Sequence, residues 1–168
     1  MDDDVVDLIL ADHRLFEKLL RDLRDVEADR DAARRTLAGV LVAHAEAEEK
    51  CVYPTLRKRS SVEGEEVEHS EEEHAEGHEA LLKLLELEET SGDDFDEAVE
   101  ELSEKLSHHI AEEELSILNP ARTEVEQSIR SDLGIQFANE RTHQLDSGCG
   151  DVANVRRLVE AARKDGQL

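Results

Sequence analysis

The sequence predicts an all-α fold, an antiparallel up-down four-helix bundle followed by a C-terminal helical tail. Three observations carry that expectation. Leu, Ala and Glu dominate, while aromatic residues make up 2 % of the chain, a composition that suits amphipathic helices and is too poor in strand formers for a sheet. Apolar residues recur at three-four spacing in four separate segments. The polar breaks between them, near residues 28–31, 59–64 and 91–94, are short enough to make consecutive helices run in opposite directions.

In the first segment Val6, Ile9, Phe16, Leu20 and Leu23 form the apolar stripe, and His13 occupies the position missing from the series. The second places Leu37, Leu41, Cys51 and Val52 on one face with His44 and Glu48 between them. In the third, Val67, Leu81 and Leu85 define the stripe, and His74 and His78 fill its middle at i, i+4 spacing. The fourth runs through Phe95, Val99, Leu102 and Leu106 into His109, Glu113 and Ile117, and the expected stop is Asn119-Pro120. The acidic stretch from Glu63 to Glu73 reads as a loop and the solvated start of the third helix. Bundle and tail divide as residues 1–120 and 121–168. The tail holds Val125, Ile129, Leu133 and Phe137, a break at 146–150, then Val152, Val155, Leu158 and Val159, which predicts two short helices packed on the bundle or on another subunit.

The polar interruptions also share a level. Counted from residue 29, His13 is 16 back and His44 is 15 forward. Counted from residue 61, the midpoints of His44/Glu48 and His74/His78 are each 15 away. From residue 92 the third-helix pair averages 16 back and the His109/Glu113 pair 19 forward. That last offset is roughly 5 Å along a helix, within what a loop absorbs.

With 44 Asp and Glu against 20 Lys and Arg, the formal charge of −24 repels phosphate backbones and anionic bilayers, which excludes nucleic acid and a membrane surface as partners. The excess reads as a solvated acidic helix surface. No apolar run approaches the ~20 residues that span a bilayer. The start MDDDVVDL has no features of a secretory leader, and the two cysteines, Cys51 and Cys149, are far apart, so a reduced, cytoplasmic location is expected.

A single core histidine is usually hydrogen-bonded within the protein. Five histidines and two glutamates at one level need a shared partner, because unpaired buried charges cost several kcal/mol each. Two metal ions accommodate seven such ligands: imidazoles donate lone pairs, and carboxylates bridge cations and offset their charge. Zinc fits less well, since structural zinc prefers four cysteine-rich ligands and catalytic zinc three protein ligands. No HExxH, phosphate-cradling glycine loop or nucleophile elbow supports a hydrolase or nucleotide reading. His69, His108 and His143 fall off the stripes or outside the bundle and read as surface residues, although His108 adjoins His109 and lies five residues before Glu113.

The segments ADHRLFEKLL, HAEAEEKCVYP, HAEGHEALLKLLELE and HHIAEEELSILNP together resemble the hemerythrin HHE cation-binding family over about residues 1–120. The resemblance implies two iron ions with an oxo or hydroxo bridge. By that analogy His74, His78 and His109 bind one iron, His13 and His44 the other, and Glu48 and Glu113 bridge them, leaving an open position on the second iron for O2 or peroxide. Two features differ from other members. Glu113 follows His109 by four residues, as in many bacterial HHE domains but not in animal hemerythrins, and the fourth segment ends ILNP instead of ILP or LFP. That leaves His108 or His109 as the fourth-helix imidazole. Tyr53 reads as packing at a helix end, or, as in some relatives, as contact with the site. Cys51 reads as a small buried hydrophobe.

The resemblance leads first to a protein that binds O2 or a related small oxidant reversibly, for storage or sensing. Its alternatives are a catalase-like enzyme decomposing hydrogen peroxide or handling nitric oxide, and an iron-homeostasis protein without redox turnover. Ile9, Phe16, Leu41 and Leu106 beside the site favour binding, and Glu17, Glu49, Glu112 and Glu114 would assist O–O cleavage if they reached it. No catalytic group is assigned beyond the metal ligands, and the chain is expected as a monomer or as a homo-oligomer through its tail.

Overall fold

The computed structural model describes residues 4–168, so the first three residues of the acidic start lie outside it. Among the described residues the chain forms six helices and no strand, two of the helices being divided by a wider turn. Helix α1 spans Val5–Arg24; α2 spans Arg30–Ala47 and passes through a π-helical turn at Glu48–Val52 into α3 at Tyr53–Arg59. Helix α4 spans Gly64–Glu86; α5 spans Asp93–Glu113 and passes through a second π turn at Glu114–Leu118 into α6 at Asn119–Glu124. The tail supplies α7 at Gln127–Asp146 and α8 at Val152–Asp165.

Local chemistry sets the starts. Asp4 caps α1 by accepting from the Val6 N–H at 3.0 Å, and Asp29 caps α2 through the Ala32 N–H at 2.9 Å. The stretch 63–73, expected as a loop and the solvated start of a helix, is helical from Gly64, where Glu63 and Glu66 close a reciprocal capping box. The fourth segment does not stop at Pro120. A proline has no N–H, and its ring crowds the carbonyl four residues back. Immediately ahead of Pro54 and Pro120 the Tyr53 and Asn119 N–H groups bond five residues back, to the Glu48 and Glu114 carbonyls. The widened turns make room for the rings and the helices continue. Wide turns of this kind are frequent at functional sites, and here one begins at Glu48 and the other directly follows Glu113, both expected site residues.

The stripes predicted over residues 1–120 are buried except at Cys51 and Leu85, which are half-buried: Val6, Ile9, Phe16, Leu37, Val67, Leu81, Phe95, Leu102 and Ile117 are all within the core. That core is two apolar clusters. One runs from Phe16 to Leu23 and gathers Leu37, Leu81, Phe95 and Leu102; the other gathers Val5, Ile9, Val52, Tyr53, Val67, Ile117 and Phe137. The polar level falls between them. Helices α4 and α5 run in opposite senses, with Lys83 on Glu101 and Lys105 on Glu76, each at 2.6 Å.

The tail packs on its own bundle. Helix α7, 20 residues long and so not short, lies against α1 and α2, and α8 lies against α4. Arg130 of α7 holds the α1 cap residue Asp4 at 2.7 Å, and Arg163 of α8 holds Glu79 at 2.7 Å. Gly148 makes the intervening turn at φ 73°, and Gly150 packs backbone on backbone: a Cβ there would lie 2.5 Å from the Gly39 nitrogen. No helix among the described residues is long and apolar enough to cross a membrane.

Candidate metal centre

All seven residues expected at the polar level are buried. They reach it because each replaces an apolar residue on an inward face, and the faces converge. The Nε2 atoms of His44 and His74 lie 3.2 Å from Oε2 of Glu48; those of His13 and His109 lie 3.1 and 3.6 Å from Oε2 of Glu113. Each carboxylate therefore touches one imidazole from the α1–α2 side and one from the α4–α5 side. Two groups of closely spaced donor atoms result, His13/His44/Glu48/Glu113 and Glu48/His74/His109, and Glu48 belongs to both. His78 is not a member of either group, but its ring is buried on the same face of α4. Of the neighbouring pair on α5, His109 faces inward and the His108 side chain is 64 % exposed.

The inner atoms are unsatisfied. Nε2 of His13, His44, His74, His78 and His109, with Oε1 of Glu48 and Oε2 of Glu113, is buried without a hydrogen-bond partner. Each such atom costs about 1–3 kcal/mol if nothing takes it up. Native proteins carry few of them, and seven aimed at one level are accounted for by cations.

Four of the five outer nitrogens meet a carboxylate. His13 Nδ1 pairs with Glu114 at 3.0 Å, His44 Nδ1 with Asp12 at 3.0 Å, His74 Nδ1 with Glu49 at 2.7 Å and His109 Nδ1 with Glu73 at 3.0 Å. A carboxylate on the outer nitrogen fixes the ring and the tautomer that leaves Nε2 free to ligate. Arg141, from α7, grips Asp12 with two bonds of 2.8 Å, and Phe137 stands edge-on to His44 with ring centroids 5.7 Å apart.

A donor set of imidazoles spanned by shared carboxylates is a cation site, and its family model is matched. Residues 4–121 match the hemerythrin HHE cation-binding domain. The chain belongs to the hemerythrin HHE family. Searches of curated proteins and of solved structures returned no match. In this HHE chain the inward histidines and glutamates were legible from spacing; of the outer carboxylates, Glu49 and Glu114 were legible only as acids that could reach the site, and Asp12 and Glu73 were not legible. Asp12 and Glu73 precede His13 and His74 in the chain, and Glu49 and Glu114 follow Glu48 and Glu113. In this acidic sequence such neighbours pass for solvated surface.

Tyr53 of this HHE chain is more than helix-end packing. Its hydroxyl lies 2.7 Å from Glu113 Oε1, 3.3 Å from Glu48 Oε2 and 2.8 Å from Ser70 Oγ. Burial, reinforced by the Glu113 and Glu48 charges, pushes its pKa well above 10, so it remains a neutral phenol that donates. Burial alone would lower the His44 pKa, but the Glu48 and Asp12 carboxylates outweigh it and raise the value to about 9. His74 is raised in the same way, against burial, by Glu48 and Glu49. Burial would raise Glu48, yet His44 and His74 hold it well below the usual carboxylate range. His78, buried beside His74 and His109 with no carboxylate of its own, falls to about 3 and stays neutral.

Proposed function

We propose that this HHE protein holds two irons and binds O2, or a related small oxidant, reversibly at an open position, for storage or sensing. The reading carries His74, His78 and His109 to one iron, His13 and His44 to the other, and Glu48 and Glu113 to both. It also takes α1, α2–α3, α4 and α5–α6 as an antiparallel four-helix bundle over residues 1–120, with 121–168 as an extension. The observation that carries it is the way each glutamate contacts an imidazole from either side, the pattern of a carboxylate spanning two cations.

A pair of ferrous ions so held would supply the two electrons that reversible O2 uptake requires. The protein's part is positioning and exclusion of water. On this reading His13 and His44 would hold the iron with one imidazole fewer, the one that would take up the small ligand, and Phe16 stands beside their rings, 5.0 Å from the His44 ring and 6.2 Å from the His13 ring between centroids. Phe137 also stands edge-on to the His44 ring. An apolar wall admits a neutral diatomic and offers no proton for O–O cleavage. Glu49 and Glu114 do reach the site, but both are occupied on outer imidazole nitrogens. The Tyr53 proton lies on the Glu113 side, where it steadies that carboxylate.

Peroxide turnover is the second reading, favoured by a cleft that reaches Glu113 and brings the ionisable side chains of Glu66, His69, Glu73 and Glu112 beside it, with Ile117 in its wall. One experiment separates the two. The protein is loaded with Fe2+ anaerobically, its iron counted, and its near-ultraviolet and visible spectrum followed through cycles of air and argon, then with hydrogen peroxide. About two irons per chain and a spectrum that reverses under argon support binding; sustained O2 evolution from peroxide supports the enzyme. Failure to take up iron refutes both.

A further inference from the structure

A second cluster of donors lies outside the buried centre, on the exposed edge of α4 and α5. The side chains of His69 and His108 are 57 % and 64 % exposed, and both turn Nε2 toward Oε1 of Glu73, at 3.5 and 3.3 Å. All three donor atoms lie within 4.8 Å of one another. Glu73 itself is 7 % exposed, and its Oε1 has no hydrogen-bond partner although its Oε2 is engaged by His109. A buried carboxylate oxygen thus points without a partner between two imidazoles from different helices.

We propose that His69, Glu73 and His108 form a surface site for a first-row divalent cation of the zinc class, distinct from the buried pair. The spacing fits the ion. Ligand atoms bound tetrahedrally at ~2.0–2.1 Å are roughly 3.3–3.4 Å apart, which matches both carboxylate-to-imidazole distances. Two imidazoles and one carboxylate complete three positions, and the exposed side leaves the fourth to water. His69 and Glu73 stand at i, i+4 on α4, so the helix presents both to the same ion, and His108 closes the chelate from α5. The charge of −24 draws cations to the surface, and Glu66 and Glu112 line the adjoining cleft. Glu73 joins the surface ion to the outer nitrogen of His109, so occupation of one site bears on the other.

The test is a Zn2+ titration of the full-length protein already loaded with iron, with zinc and iron both quantified after dialysis. Wild type, His69→Ala, His108→Ala and the double variant are compared. These side chains are exposed, so folding is checked simply by an unchanged melting curve. The expected result is one zinc more in wild type than in the double variant, with each single variant binding that zinc at least 10-fold more weakly. Equal zinc in wild type and double variant overturns the site. Unchanged affinity in either single variant overturns chelation by the pair. Iron is read from the same samples, so a failed iron centre shows up as missing iron and leaves the zinc difference readable.

Discussion

Replacing Arg141 with Met keeps most of the aliphatic stem and removes the guanidinium that links the tail to the buried site. Asp12 is then left with His44 Nδ1 as its remaining partner, in a position only 6 % exposed. At present burial pushes the Asp12 pKa up, and the hydrogen bonds and charges of His44 and Arg141 more than reverse it. Two charge-assisted bonds of 2.8 Å would be worth several kcal/mol in a dry interior, but the Arg141 side chain is 24 % exposed and water recovers much of that. A net loss of about 1–2 kcal/mol in the stability of the metal-free protein follows. Asp12 braces one imidazole of the site, and losing such an outer partner typically weakens a metal site 10–100-fold. Since Asp12 itself remains, the low end applies, about 10-fold or ~1.4 kcal/mol. The assay is competition for iron against a chromophoric chelator, with Asp12→Asn and the double variant completing a cycle. Coupling of about 1 kcal/mol is expected between the two positions. Unchanged metal affinity in Arg141→Met, or a loss as large as that of His44→Ala, would refute the argument that the tail acts through Asp12.

Three further outcomes are expected. Tyr53→Phe leaves Glu113 and Ser70 without their hydroxyl partner, so unfolding free energy should drop by about 1–3 kcal/mol and the iron spectrum should shift; a variant identical to wild type in both would remove Tyr53 from the site. Gly150→Ala forces a Cβ to within 2.8 Å of α2 backbone atoms, and a loss of ~1–3 kcal/mol with earlier proteolysis of the tail is expected; an unaltered melting curve and digestion pattern would mean that α8 docks otherwise. The third concerns pH. In the metal-free protein the His44 pKa is about 9 against an ordinary 6.5, so its stabilisation is complete below pH 6.5 and is lost as the pH rises through 9. His78, at about 3, works the other way: between pH 6.5 and 3 the unfolded chain binds a proton that the folded one refuses, and stability is lost as the pH falls. Metal-free stability, measured by denaturant midpoint, should therefore peak near pH 6.5. A midpoint that climbs from pH 6.5 to 9 contradicts this, and filling the site with metal should abolish the alkaline decline.

The helices and their inward faces were legible because burial imposes a 3.6-residue period, and a histidine that interrupts such a stripe is conspicuous. His13 between Ile9 and Phe16 is the clearest case. The end of the fourth helix was not legible. Pro120 is a sound stop signal unless the preceding turn widens, and a π turn leaves no mark in hydrophobic periodicity. The tail's two apolar stripes announced helices but not their target. For α7 the target is marked by Arg130 and Arg141, two cations in an acidic chain, each meeting a buried aspartate more than a hundred residues earlier, and for α8 by Arg163 on Glu79.

The outer carboxylates show a subtler reason why sequence falls short. Each is the chain neighbour of an inward-facing site residue, yet each serves an imidazole on a different helix. Asp12 of α1 braces His44 of α2, Glu49 after α2 braces His74 of α4, Glu73 of α4 braces His109 of α5, and Glu114 after α5 braces His13 of α1. The four contacts close a ring around the polar level. One step along a helix turns about 100°, so the neighbour of an inward residue lies at the flank, where it meets the adjacent helix. The inner glutamates alone would let neighbouring helices slide until their cation contacts lengthened. The outer ring adds a second set of contacts that holds each helix against the next. Removing a single brace should then loosen the coordination at the neighbouring helix, as the Arg141 experiment measures for α1 and α2.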